Sequence, residues 1–184
     1  MVLSSRCLTI VENKTVIFSL LPGDRSILKA PAPRKIQKIE PLTIGWREWL
    51  ALPELGIVAL KAKVDTGART SALHAYQLET FQRQQQHWVR FYVHLSKHPP
   101  YPHVCCEAQI IDQRVVSDSG GHREQRYVIC TPVRLAGHEW PIEITLTNRD
   151  TMRFPMLLGR TAMPEGLFIN PTASYLLARP VKKS

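Results

Sequence analysis

The sequence predicts an all-β, barrel-like domain with one small helix, preceded by a basic extension. Three observations carry this reading. The chain has 184 residues, 44% hydrophobic and 21% charged, the size and composition of one globular domain rather than two large ones. Fourteen prolines against nine glycines argue against a bundle of long helices, because each internal proline costs a helix about 3 kcal/mol. The patterned part of the chain consists of short segments with strand-type alternation or β-branched and aromatic content, separated by turn residues.

Taken in order, residues 1–38 read as a basic arm or linker. They hold a short β-like stretch, Val16 to Leu21, then PGDRS, then Lys29 to Lys38 (KAPAPRKIQK), where proline and alanine mix with positive charge. The six apolar residues from Val16 fall far short of a signal-peptide core, and no run in the chain approaches the ~20 apolar residues of a membrane span. A patterned domain follows over residues 39–178, and residues 179–184 form a basic tail. Strands are predicted at Ile57–Val64, Trp88–Leu95, Arg126–Val133 and Trp140–Leu146. Between them stand turn signals at Pro53, Pro99-Pro100, Ser119-Gly120-Gly121, Ala136-Gly137 and Asn170-Pro171. A short helix is expected around Gly159 to Met163.

The charge balance is +9 with a pI near 9.7, which invites nucleic acid, acidic lipid or an acidic polypeptide as partner. Its distribution narrows the reading: residues 1–40 hold seven basic and three acidic residues, and Arg179, Lys182 and Lys183 add three more positive charges. Residues 41–178 carry only +2. The four cysteines, Cys7, Cys105, Cys106 and Cys130, form no CxxC and no repeating spacing, so a disulfide scaffold is not expected and the default address is the reducing cytoplasm.

Two constellations point to chemistry. Val64-Asp65-Thr66-Gly67-Ala68 places a carboxylate at the end of an apolar strand and follows it with a hydroxyl and a glycine. A strand delivers Asp65 toward the interior, where it needs a partner or solvent, and Gly67 allows close backbone approach. Most Asp-Thr-Gly tripeptides are simple hydrogen-bonded turns. About ninety residues on, Met156-Leu157-Leu158-Gly159-Arg160 reads as a buried strand ending in glycine before the short helix. The order of the two, with β-hairpins between them, resembles a retroviral-type aspartic peptidase.

The resemblance narrows further. Val64–Ala75 (VDTGARTSALHA), Val115–Ile129 (VVSDSGGHREQRYVI), Gly137–Met163 and Ile169–Leu177 (INPTASYLL) resemble the bacterial retropepsin-like, RimB-like family named for ATP-dependent zinc proteases and associated with RimK-type ATP-grasp glutamate ligases. It spans roughly Ile39 to Ala178. It implies a cytoplasmic peptidase acting on glutamate-tailed or similarly modified polypeptides, such as a ribosomal protein, with a RimK-type ligase as a possible partner. Asn148 and Asn170 stand where the family usually has Asp, and residues 96–106 look like a local insertion.

An aspartic peptidase needs two carboxylates that share a proton across a water, and this chain has one Asp-Thr-Gly. A two-fold homodimer that brings Asp65 of each copy to the axis is therefore expected. Asp65 would be the catalytic acid or base, with Thr66 and Gly67 supporting it. Gly120 and Gly121 would tip a hairpin that either closes over an extended substrate or is only a surface turn. Glu124 and Arg126, two apart on one strand face, either pair with each other or leave Arg126 to bind a substrate carboxylate. Ala68, Arg69, Thr70, Ser71, His74 and Arg160 complete the expected substrate-binding set.

No cofactor or metal is expected from the residues. HExxH and the phosphate-loop motif GxxxxGK[ST] are both absent. His94, His98, His103, Cys105 and Cys106 are zinc-type ligands, but prolines 99, 100 and 102 break up that segment and a polar loop is the plainer reading. A zinc-dependent peptidase and a catalytically silent peptide-binding module of the same fold are the competing readings. With no zinc-finger spacing, RNP-like motif or amphipathic basic helix, nucleic acid is expected only as an accessory contact of the arm.

Overall fold

The computed structural model describes residues 38–96, 102–117, 121, 123–148 and 153–181. Most of the basic arm, the β-like stretch at Val16, His98, Gly120 and residues 182–184 lie outside the described residues. Eleven strands are described: β1 (Lys38–Gly45), β2 (Arg47–Leu52), β3 (Ile57–Asp65), β4 (Ser71–His74), β5 (Tyr76–Arg83), β6 (Gln86–His94), β7 (His103–Ser117), β8 (Arg123–Leu135), β9 (His138–Thr147), β10 (Met156–Gly159) and β11 (Glu165–Asn170). The expected all-β class is what is observed.

Nine strands form one sheet in the order β2-β3-β10-β4-β9-β8-β7-β6-β5, and it curls back on itself through a pairing of Ala51 in β2 with Arg134 in β8. Six strands thus close a ring, while β7, β6 and β5 continue as an antiparallel extension. Strands β1 and β11 pair in parallel as a separate ribbon. Period-2 patterning directs one face of the ring inward: Leu50, Leu52, Ile57, Leu60, Leu73, Ile129, Ile142, Ile144 and Leu146 are all fully buried or nearly so. Apolar burial of this kind contributes about 25 cal/mol per Å².

The expected helix after Gly159 is a single 3-10 turn, Arg160–Ala162. Pro164 follows closely and its ring resists continuation. The turn is instead held from outside, by Trp140 Nε1 donating to the Ala162 carbonyl at 2.8 Å. Within the stretch 96–106, residues 103–106 lie inside β7 and pair with β6 from His94↔His103 to Phe91↔Cys106, and Leu95 N donates to the Pro102 carbonyl at 2.8 Å.

One crossing positions the site. β10 lies between β3, to which it is parallel, and β4, to which it is antiparallel, with Gly159 opposite Asp65 and Leu158 opposite Val64. The loop from Asp65 to Ser71 therefore passes over the end of β10. The approach is close enough that a Cβ on Gly159 would lie 2.5 Å from the Thr70 carbonyl carbon.

Candidate active site

Asp65 ends β3, and its Oδ1 accepts hydrogen bonds from the Gly67 and Ala68 amides, both at 3.1 Å. This is the Asp-turn that the tripeptide encodes locally. Its second oxygen, Oδ2, lies 3.6 Å from Lys63 Nζ. The charge is thus held by two amides and one ammonium while the side chain stays partly open, and Thr66 and Gly67 are exposed. The carboxylate needs no burial compensation beyond these partners.

The second constellation locks this loop from the far end of the sequence. Arg160 Nη1 donates to the Thr66 and Gly67 carbonyls at 3.2 and 3.1 Å, and its backbone N–H donates to the Ala68 carbonyl at 2.9 Å. The Thr161 amide and hydroxyl both reach the Arg69 carbonyl, at 3.0 and 2.8 Å. Gly159 N donates to Ser71 Oγ at 3.1 Å, and the Ser71 carbonyl accepts from Thr145 Oγ1 at 2.9 Å. Asp65, Thr66, Gly67, Ala68, Arg69, Thr70, Ser71 and Arg160 are therefore assembled in one place. Ser71 is fully buried, so it positions backbone rather than meeting solvent.

His74, Glu124 and Arg126 form a second group around Thr147. His74 is buried on β4 in register with Thr147 of β9, and it stacks near Tyr76 and His94, each at a ring-centroid distance of 6.4 Å. Thr147 Oγ1 donates to Glu124 Oε2 at 3.0 Å, and Arg126 Nε donates to that same oxygen at 2.7 Å. Arg126 is 7% exposed. The pairing reading of Glu124 and Arg126 is the one the geometry supports, and the guanidinium is engaged from within its own strand. Gly121 takes a φ of +81° in the connection between β7 and β8, a value that suits glycine.

The zinc-type donors do not all face one way. Cys105 and Cys106 are adjacent on a strand and point to opposite faces, Cys105 exposed and Cys106 buried with Sγ 3.4 Å from the Leu55 carbonyl. Burial, then the neighbouring Cys105, pushes the Cys106 thiol up to about 12, which opposes the thiolate that a metal requires. Cys105 hydrogen-bonds Tyr92 and raises that phenol. Among the described residues no group of three or more His, Cys, Asp or Glu side chains is placed to hold a metal ion.

Two residues escaped the sequence reading. Lys63, two before Asp65 and hence on the same strand face, carries no local signal beyond the strand period. Glu48 is 1% exposed and accepts from Gly45 N, Leu176 N and Leu177 N at 2.8, 2.7 and 3.3 Å. A carboxylate whose partners lie 128 and 129 residues away leaves no local signal.

A single Asp-Thr-Gly loop at a strand end, crossed by a Gly-Arg strand on a closed all-β ring, defines a retropepsin-like protein. Residues 43–180 match the RimB-like family, described as "Retropepsin-like aspartic endopeptidase RimB", and the chain belongs to that family. It is 46% identical over 148 residues to a Desulfotalea psychrophila protein named "Probable alpha-L-glutamate ligase", covering 80% of this chain and 32% of that one. A Shewanella halifaxensis protein of the same name is 44% identical over 136 residues, 74% of this chain and 30% of its own length. The chain thus spans about a third of the length of these relatives. A Legionella pneumophila protein of unknown function shares the fold, with a TM-score of 0.61 and 24% identity over 73% of this chain and 96% of its own. No helix among the described residues is long and apolar enough to cross a membrane.

Proposed function

We infer that the protein is a homodimeric aspartic peptidase that trims glutamate-tailed polypeptides. The observation that carries this reading is Asp65, held at one oxygen by two backbone amides on an exposed loop, with one such loop per chain. Two copies meeting at a two-fold axis supply the pair of carboxylates, and like charges that close share one proton. The unprotonated carboxylate takes a proton from a water molecule as the water oxygen attacks the scissile carbonyl carbon, while the protonated one gives its proton to the carbonyl oxygen. Collapse of that intermediate breaks the C–N bond as the leaving nitrogen takes up a proton. Thr66 and Gly67 act through the backbone that holds Asp65. The hairpin carrying Gly120 and Gly121 would close over the substrate, and residues 1–38 would be an accessory arm.

The substrate class is supported by the relatives. A domain matching about a third of proteins named as glutamate ligases makes a natural counterpart to glutamate addition, in the cytoplasm and beside a RimK-type ligase. Mass spectrometry of a glutamate-tailed polypeptide incubated with wild type and with Asp65→Asn tests the reading. Shortening by wild type alone is expected. Equal shortening by both overturns the assignment of Asp65, and a stable, fully active monomer in solution overturns the dimer. Tail binding without shortening by either protein favours a peptide-binding module.

A further inference from the structure

Many cations of this domain sit on carboxylates. Arg83 and Arg90 both pair with Glu107, Arg114 with Asp112 and Glu143, Arg126 with Glu124, Arg134 with Glu139, and Lys38 with Glu165. On one outer face the pattern changes. The register of β2 and β3 sets Arg47 opposite Lys63 and Trp49 opposite Lys61, so all four share that face. The segment after β11 lies across it, with Tyr175 N bonded to the Arg47 carbonyl at 2.9 Å and the Tyr175 ring 6.1 Å from that of Trp49. Arg153 and Arg179 border the same face. Among the described residues, the carboxylate paired with any of these five cations is Asp65, through Lys63.

The rings hold the cations. Arg47 Cζ is 4.6 Å from the Trp46 ring and 5.0 Å from Tyr175. Lys61 Nζ stands 5.1 Å over Trp49, and Arg179 Cζ stands 4.6 Å over the same ring. Two cavities open along the face, one of about 750 Å³ bordered by Trp49, Lys61, Arg153 and Arg179, and one of about 360 Å³ bordered by Trp46, Lys63, Arg153 and Phe154. Arg153 is common to both, and Lys63 links the smaller one to Asp65.

We propose that this face is a docking track for an acidic polypeptide in extended conformation, running from Arg179 past Lys61 and Arg153 to Lys63 beside Asp65. Charge complementarity selects an anion. The ring faces already carry cations, so they do not offer the stacking platforms by which single-stranded nucleic acid is usually held. Lys61 and Lys63, two apart on a strand, are spaced about 6.6 Å, the repeat of alternate side chains on an extended chain of acidic residues. Docking stands on this geometry alone; delivery of the chain to Asp65 rests on the peptidase reading above.

The test is fluorescence anisotropy with a labelled ten-residue oligo-α-glutamate and a single-stranded oligonucleotide of equal charge, each against the full-length chain over a salt series. Asp65→Asn should bind the peptide at least as tightly as wild type. The pair Lys61→Gln/Arg179→Gln should bind it roughly tenfold or more weakly, the scale of losing two charge-assisted contacts, with a shallower salt dependence. Lys38→Gln/Arg83→Gln, which removes the same charge from ion pairs on the β1–β11 ribbon and on β5 at the far edge of the sheet, should leave affinity unchanged, and Arg153→Gln gives an independent loss if the first pair fails to fold. Equal weakening by both pairs, or tighter binding of the oligonucleotide, overturns the proposal. So does a Lys61→Gln/Arg179→Gln protein whose mass by light scattering changes while its peptide affinity holds, because that outcome assigns the face to a second copy. Wild type that binds the peptide through the track and never shortens it removes the peptidase reading and leaves the docking intact.

Discussion

A methyl group at position 159 would lie 2.5 Å from the carbonyl carbon of Thr70 and 2.6 Å from its oxygen. Both obstacles are backbone, so the Asp65 loop or β10 must move to admit it. Gly159→Ala should therefore destabilise the protein by about 1–3 kcal/mol, the usual scale of overpacking, measured by urea denaturation, and should lower tail shortening by more than its stability loss explains. At the other chemical extreme, the Cys106 thiol is raised to about 12 by burial, while Cys105 and Cys130 are exposed. Because the thiolate is the reactive form, iodoacetamide at pH 8 followed by peptide mapping should label Cys105 and Cys130 and leave Cys106 unmodified until the protein unfolds. Fast labelling of Cys106 would place it at the surface. The Asp65 loop was legible as residues because a turn's hydrogen bonds are local. That Arg160 clamps the same loop was legible only as a resemblance, since its partners lie 93 and 94 residues away.

Strands β3, β6, β8, β9 and β10 could be read from alternation or apolar content, whereas β1, β2, β4, β5, β7 and β11 could not. In β2 the inward position Glu48 interrupts the apolar period, and its reason for being inside is the far end of the chain. Glu48→Gln keeps one carbonyl acceptor for three amides and turns an NH2 toward a donor, so a loss of about 1–3 kcal/mol is expected in denaturant unfolding, together with faster proteolysis between Ala173 and Leu177. Strand β4 has four residues, too few for a period, and β5 is a polar edge strand whose charges suit an unpaired flank. On the extension, hydrogen bonds from Arg90 and Arg83 hold the Glu107 carboxyl below its usual range. A lowered acid stabilises the fold above its unfolded pKa and loses that contribution as pH falls through the folded value. Glu107→Gln should thus flatten the acid limb of the stability curve followed by circular dichroism, and an unchanged limb would discount the clasp.

Over the whole molecule, the positive balance is a matter of pairing rather than of number. Residues 41–178 are close to neutral by count, yet Lys61, Lys63 and Arg153 share one face and Arg179, from the tail, packs on Trp49 of the same face. Linear counting reads Arg179 only as a tail charge; packing sets its guanidinium over a ring of β2. The sequence by itself determined the all-β class and the order of the Asp-Thr-Gly and Gly-Arg motifs, because side-chain period and turn chemistry act over a few neighbouring residues. Only the tertiary structure decided that Gly159 lies beside Asp65, that Arg126 is held by Glu124 and Cys106 sealed in the core, and which cations lack carboxylates among the described residues. Those outcomes depend on strand order and register, which are set by burying one face of every strand at once and are therefore properties of the closed ring rather than of any segment.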